Sequence, residues 1–214
     1  MTSNLSHQTF PIDLPVPKDD GACDHFKPGF KIPPISLPIA RNPSQTVDLS
    51  KQEGLTVVFC YPRTGTFPLL AFLLANSTLS GALNEKIPPS WNAIPGARGC
   101  TPQACSFRDA FDFLTSLGVK QVFGVSTQSP DYQAEVHKRL GLPYDLLSDQ
   151  KLRFVQAMNL PTFEWEGNKV IRRLTIAIKD GKVVKVWYPV FPPDGSARQV
   201  VDWLEKPENA GVGE

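Results

Sequence analysis

The sequence predicts one α/β domain whose central mixed β-sheet is flanked by helices. Three observations carry this. Two β-rich apolar runs, Leu55 to Tyr61 (LTVVFCY) and Gln121 to Ser126 (QVFGVS), read as buried strands. Between and after them lie segments with helical spacing of apolar residues. Near the end, Asp180-Gly181 joins two further strands as a tight hairpin. The order strand, helix, strand, helix, hairpin, helix is that of a single layered domain.

The elements follow in order. Eight of the 21 prolines fall between Pro11 and Pro43. Proline fixes φ and removes a donor, so residues 1–44 read as an extended Pro-rich N-terminal arm lying across the domain. Ile32, Ile35, Leu37 and Ile39 are placed to pin it. The domain proper is set at residues 45–206, with a short strand at Thr46 to Leu49. Thr101 to Leu117 reads as one helix. Thr101 is its expected cap, Pro102 its first residue and Gly118 its exit. Phe107, Phe111, Leu114 and Leu117 recur on its core face. Tyr132 to Leu140 reads as a second helix, ended by Gly141. Lys151 to Met158 is a short third helix. Val170 to Ile178 and Val183 to Val190 are the hairpin strands, and Ala197 to Leu204 closes the chain as a helix. Residues 207–214 form a tail.

Composition excludes several classes. There are 22 basic against 21 acidic residues, a net charge of +1, so no nucleic-acid partner is expected. The longest strongly apolar run, Phe67 to Ala75, has nine residues and contains a proline, too short to span a bilayer. Met1 to Phe10 is polar and lacks a signal-peptide pattern, which leads us to expect a soluble intracellular protein with reduced thiols. Four cysteines in 214 residues are too few for a disulfide scaffold.

The chemistry-bearing segment is Ile94 to Asp109 (IPGARGCTPQACSFRD). Cys100 stands at the mouth of the Thr101 helix, where free amides and the positive dipole end favour a thiolate. Arg98 is two residues away, and Gly96 and Gly99 permit close approach of a small substrate. Against this stands the plain alternative, a small buried cysteine that fills space. Cys105 adds weight to the reactive reading. Five helical residues rise about 7.5 Å, beyond the Cα separation of about 7 Å that a disulfide tolerates. The two thiols are therefore near but unbridgeable until the first turn unwinds. The spacing also misses the two-residue gap of zinc and thioredoxin motifs. Cys60 reads as core and Cys23, in the arm, as incidental. His7, His25 and His137 share no metal-ligand spacing, and Trp91, Trp165, Trp187 and Trp203 read as scattered packing residues.

The segment CTPQACSFRD resembles the two-cysteine motif of the peroxiredoxin Q type, also called the bacterioferritin comigratory protein type. Three other stretches are similar to the family in the same order. They are Val58 to Pro62 (VFCYP), Leu142 to Asp149 (LPYDLLSD) and Arg173 within RRLTIAIKDGKV. The resemblance spans roughly Gly54 to Leu204. It implies a thioredoxin-like fold and a thiol-dependent peroxidase without metal or organic cofactor. Cys100 would be the peroxidatic cysteine, and Cys105 the resolving cysteine that forms an intramolecular disulfide with it. Arg173 would face the reactive thiol. Without the resemblance, Arg173 reads as a surface cation beside Arg172. Substrate and partner would be a peroxide and thioredoxin or a similar dithiol reductant. The expected state is a monomer or weak homodimer, and the expected location is the cytoplasm, with nucleus and organelles left open.

The sequence departs from the family in two places. Ala97 stands where the family has a threonine three residues before the reactive cysteine, so the hydroxyl is missing or supplied by Thr101. A second register, aligning TPQAC with the Thr-Pro-x-Cys of other peroxiredoxins, would make Cys105 the attacking thiol. The other departure is length. Thirty-seven residues, 63 to 99, separate Pro62 from Cys100, and residues 66–85 read as an insertion. These departures support a rival reading, a catalytically inactive thioredoxin-fold module that binds a protein partner.

Overall fold

A computed structural model describes residues 14–65, 88–209 and 211–213 of the chain. The stretch 66–85, read from the sequence as an insertion, lies outside the described residues, as does Met1 to Phe10.

A seven-stranded mixed sheet forms the centre. Its strands are β1 (Ser36–Ile39), β2 (Asn42–Asp48), β3 (Leu55–Cys60), β4 (Val119–Ser126), β5 (Asp145–Ser148), β8 (Leu174–Lys179) and β9 (Lys182–Trp187). Strands β6 (Thr162–Trp165) and β7 (Asn168–Ile171) make a separate hairpin. The order across the sheet is β2-β1-β5-β4-β3-β8-β9. The β3, β4 and β5 strands run parallel, while β8 pairs antiparallel with β3 and with β9. The described helices are α1 (Pro89–Asn92), α2 (Cys100–Asp109), α3 (Phe111–Ser116), α4 (Pro130–Leu140), α5 (Arg153–Ala157) and α6 (Ser196–Leu204).

Strand β3 shows why the sheet is central. All six of its residues are buried. Successive side chains point to opposite faces. Leu55, Val57 and Phe59 join Phe107, Leu114, Val136 and Val200 of the helices on one side. Val58 and Cys60 join Phe26, Leu37, Phe154 and Met158 on the other. A strand covered on both faces has no polar side to show, hence the unbroken run LTVVFC. Within the Asp180-Gly181 hairpin, Lys179 pairs with Lys182, and both turn residues have positive φ (49° and 70°). That is the two-residue turn expected there.

Three expectations need correction, and one strand was not expected. The boundary at residue 44/45 cuts through β2. Residues 36–48 are a hairpin at the sheet edge, and Ile39 of β1 reaches Leu147 of β5. Pro43 is tolerated because β2 is the edge strand, whose outward positions leave amides unpaired. The helix drawn over 101–117 breaks at Ala110 (φ −94°, ψ 0°) into α2 and α3. It begins at Cys100, and its cap is Gly99 in a left-handed conformation (φ 106°) rather than Thr101. The strand drawn over 170–178 is two strands, β7 and β8, parted at Arg172-Arg173. A turn at Glu166-Gly167, both with positive φ, folds β7 back on β6. Finally, Asp145–Ser148, within LPYDLLSD, is a strand of the main sheet, too short to carry a period of its own.

Candidate active site

The site forms where three chain reversals meet. The loop Pro95 to Gly99 uses positive φ at Gly96 (74°) and Gly99 (106°) to turn directly into α2. Cys100 is therefore the first helical residue, with its side chain 3% exposed. Two contacts brace the helix behind it. The Phe107 ring stacks on Phe59 at 4.6 Å, and the Tyr144 hydroxyl donates to the Ala104 carbonyl at 2.6 Å. Asp149 completes the work of LPYDLLSD by accepting the amides of Phe154 and Val155 at the start of α5 (3.1 and 2.8 Å).

Arg173 comes from the break between β7 and β8. It is 3% exposed, not a surface cation. Its Nη2 donates toward Cys100 Sγ at 3.3 Å and toward the carbonyls of Gly96, Ala97 and Arg98 at 3.3, 3.3 and 3.0 Å. Its Nη1 donates to Gln103 Oε1. Among the described residues its Nε has no partner. Burying a guanidinium is costly unless its donors are met. Here a fan of loop carbonyls and one glutamine oxygen meets them, and the remaining donor capacity faces the thiol. The thiol itself donates to the Ala97 carbonyl at 3.7 Å.

Gln103 is the residue that sequence reasoning missed. It is fully buried. Its Nε2 donates to Ser196 Oγ at 3.3 Å, and Ser196 Oγ lies 2.9 Å from Thr175 Oγ1. This buried polar chain ties α2, α6 and β8 together and fixes the guanidinium plane. A polar residue three positions after Cys100, on a helix face otherwise read as core, was the available signal.

The other candidates separate cleanly. Cys105 lies half-buried on the same helix, and both thiols are free. Burial pushes the Cys105 thiol up, with Arg108 partly opposing it. The arginine contact is on Cys100, which supports the first register over the one that makes Cys105 the attacking thiol. Arg98 does not serve the thiol with its side chain. It donates instead to Asn92 Oδ1 at 3.1 Å. Thr101 is half-buried at the second helical position. Ala97 is fully buried against Trp91 and Val170. Its methyl fits an apolar pocket formed by Trp91, Phe163 and Trp165, with Trp91 edge-on to Trp165 at 5.1 Å. These tryptophans were read as scattered, but they gather beside the active loop. Cys23, read as incidental, is buried in the same apolar cluster as Cys60. Burial raises Cys23 to about 12 and Cys60 higher still.

The sequence profile of the redoxin family matches residues 27–202. The chain is 30% identical over 109 residues to a putative peroxiredoxin bcp of Coxiella burnetii, which covers 50% of this chain and 72% of that protein. It is 29% identical over 107 residues to the chloroplastic peroxiredoxin Q of Gentiana triflora, covering 50% of this chain and 48% of the relative. The chain thus spans about half the length of that plant relative. Among solved structures, peroxidoxin BcpB of Mycobacterium tuberculosis superimposes with a TM-score of 0.62 at 23% identity, over 84% of this chain and 97% of that one. Peroxiredoxin Q of Xanthomonas campestris does so with a TM-score of 0.56 at 18% identity, over 90% and 96%. At these identities the structural likeness is one of fold.

Proposed function

The chain belongs to the redoxin family, as a peroxiredoxin of the Q or bacterioferritin comigratory protein type, and on that premise we propose that it is a thiol-dependent peroxidase. Its substrates are hydrogen peroxide and organic hydroperoxides. The observation that carries this reading is the 3.3 Å contact between Arg173 Nη2 and Cys100 Sγ. As a thiolate, Cys100 accepts a charge-assisted hydrogen bond, about twice as strong as a neutral one.

The chemistry then follows from the positions. The Cys100 thiolate attacks one peroxide oxygen. The O–O bond breaks, and the departing oxygen takes a proton to leave as water or alcohol. Cys100 becomes a sulfenic acid. Arg173 stabilises the charge that develops on the departing oxygen through the guanidinium that already contacts Cys100 Sγ. Cys105 next attacks the sulfenic sulfur. A Cys100–Cys105 bond forms and water leaves. A dithiol such as thioredoxin reduces that disulfide by exchange and is itself oxidised. No metal or organic cofactor enters this sequence. The protein acts as a monomer or weak homodimer in the cytoplasm.

The test is peroxide consumption by the purified chain with thioredoxin, its reductase and NADPH. Turnover that depends on all components supports the reading. Absence of turnover with both hydrogen peroxide and an organic hydroperoxide would leave the inactive protein-binding module as the better account.

A further inference from the structure

The chain before residue 27 lies outside the stretch that the redoxin profile matches, yet its described part, residues 14–26, is fastened to the domain at several points. Cys23 and Phe26 are buried in the apolar cluster behind β3. His25 Nε2 lies 3.0 Å from the Met158 carbonyl. The Tyr188 hydroxyl donates to Asp20 Oδ1 at 3.0 Å. Toward the N-terminus from these anchors, Pro17 comes beside Gly96 of the active loop.

There Pro17 joins Gly96 and Arg173 in lining a small cleft, with Cys100 reached from it only through Arg173, whose Nη2 lies 3.3 Å from the sulfur. Phe163, Arg172 and Tyr188 line it as well. The Pro17 ring is in contact range of the active loop. A Cβ built on Gly96 would lie 3.4 Å from Pro17 Cγ. Proline holds its own φ fixed, so this wall is stiff. At its depth the cleft has room for about one water-sized molecule. Hydrogen peroxide is close to that size. A hydroperoxide with an aromatic or branched body is not.

We propose that residues 14–26 form a specificity-determining wall, with Pro17 as the contact residue, that narrows the approach to Arg173 and Cys100 in favour of small hydroperoxides. This rests on the peroxidase reading, and deepens it by naming the substrate class. It also assigns a role to a segment that lies outside the matched family domain.

Two pairs of probes test it on the full chain and on Pro17→Gly. The first pair is hydrogen peroxide and cumene hydroperoxide, compared through the ratio of their kcat/KM values. Removing the ring should raise the cumene-to-hydrogen-peroxide ratio about tenfold, the range that one apolar contact makes in a substrate pocket. The second pair needs no turnover. Rates of Cys100 alkylation by iodoacetamide and by a bulky iodoacetamido-fluorescein are compared by mass spectrometry. The bulky-to-small ratio should rise in Pro17→Gly. Tyr188→Phe, which frees Asp20 but leaves the ring, should move both ratios the same way. An active Pro17→Gly variant with an unchanged peroxide ratio overturns the proposal, whatever Tyr188→Phe does. If no peroxide is consumed by any form, the peroxidase reading falls. The alkylation ratio then decides the wall alone: a rise keeps it, and no change removes it.

Discussion

Arg173 Nη2 and Cys100 Sγ, 73 residues apart in the chain, lie 3.3 Å apart in the fold. The same nitrogen lies 3.0 Å from the Arg98 carbonyl. One guanidinium therefore holds both the reactive loop and the reactive sulfur. Loop shape and thiol position are set by a single side chain from the break between β7 and β8.

The first prediction separates the two cysteines. Cys100→Ser should abolish peroxide reduction. Cys105→Ser should still reduce about one equivalent of peroxide per chain, then stall without thioredoxin-dependent turnover, because the resolving thiol is gone. Dimedone trapping of the sulfenic acid after one peroxide addition reads this directly. A Cys105→Ser protein that forms no sulfenic acid would mean that Cys105 is the attacking thiol.

The second prediction concerns how Arg173 is held. Arg173→Lys keeps a charge but loses the planar fork that spans Gln103, the loop carbonyls and the sulfur. Its peroxide rate should fall by about 10²- to 10³-fold, the size of losing an oriented transition-state donor. Gln103→Leu should act through Arg173, lowering the rate less than Arg173→Lys does. Gln103→Glu keeps the acceptor and should restore more of the rate than Gln103→Leu. Stopped-flow oxidation of the reduced protein measures all three. Equal rates in Gln103→Leu and the parent chain would remove its positioning role.

Much of this site was legible in the sequence and some was not, for physical reasons. Cys100 could be placed at a helix start because Thr101-Pro102 carries a start signature, although the cap proves to be Gly99. Strand β3 could be placed because burial on both faces leaves a continuous apolar run. The break at Arg172-Arg173 was hidden. The run VIRRLTIAI reads as one strand because apolar residues flank its two arginines, and the Glu166-Gly167 turn, with a non-glycine at positive φ, folds β7 away from the sheet. The N-terminal hairpin was obscured by its own prolines, which argue against strand in general, though not at Pro43 on the edge strand β2. The Gln103–Ser196–Thr175 chain has no local signature, since its members come from three elements.

The third prediction uses the buried thiols as reporters. Cys23 is raised to about 12 by burial, and Cys60 is raised further. In the folded protein both stay protonated at pH 8, so iodoacetamide should spare them until the chain is unfolded in denaturant. The stability consequence has a definite sign. A thiol whose folded pKa lies above its unfolded value of about 8.5 favours the folded state fully below that value. As pH rises from about 9 toward 12, the unfolded chain loses protons that the folded one keeps, and stability falls. Denaturant midpoints across this window should drop in the parent chain and drop less in Cys23→Ala. Equal slopes would place Cys23 outside the core cluster.

The last prediction is conformational. Cys100 and Cys105 sit on one intact helix, five residues apart, and that geometry keeps their Cα atoms beyond disulfide range. Closing the bond must therefore unwind the start of α2. Its polar contacts are Arg173 to Cys100, Gln103 to Arg173 and to Ser196, and the Ala104 carbonyl to Tyr144, beside the buried side chains of Cys100 and Ala104. Phe107, stacked on Phe59, anchors the helix further along. Unwinding should thus stop near Phe107 and leave the rest of the helix folded. Peroxide-treated protein should yield a Cys100–Cys105 peptide on mapping. Amide hydrogen exchange should rise across residues 101–106 and stay slow in β3 and β4. Tyr144→Phe removes one of the bonds to be broken, so it should speed disulfide closure after sulfenic acid formation. A mapped bond from Cys100 to Cys60 or Cys23, or exchange that rises across the whole sheet, would mean that resolution needs a larger opening than one helical turn.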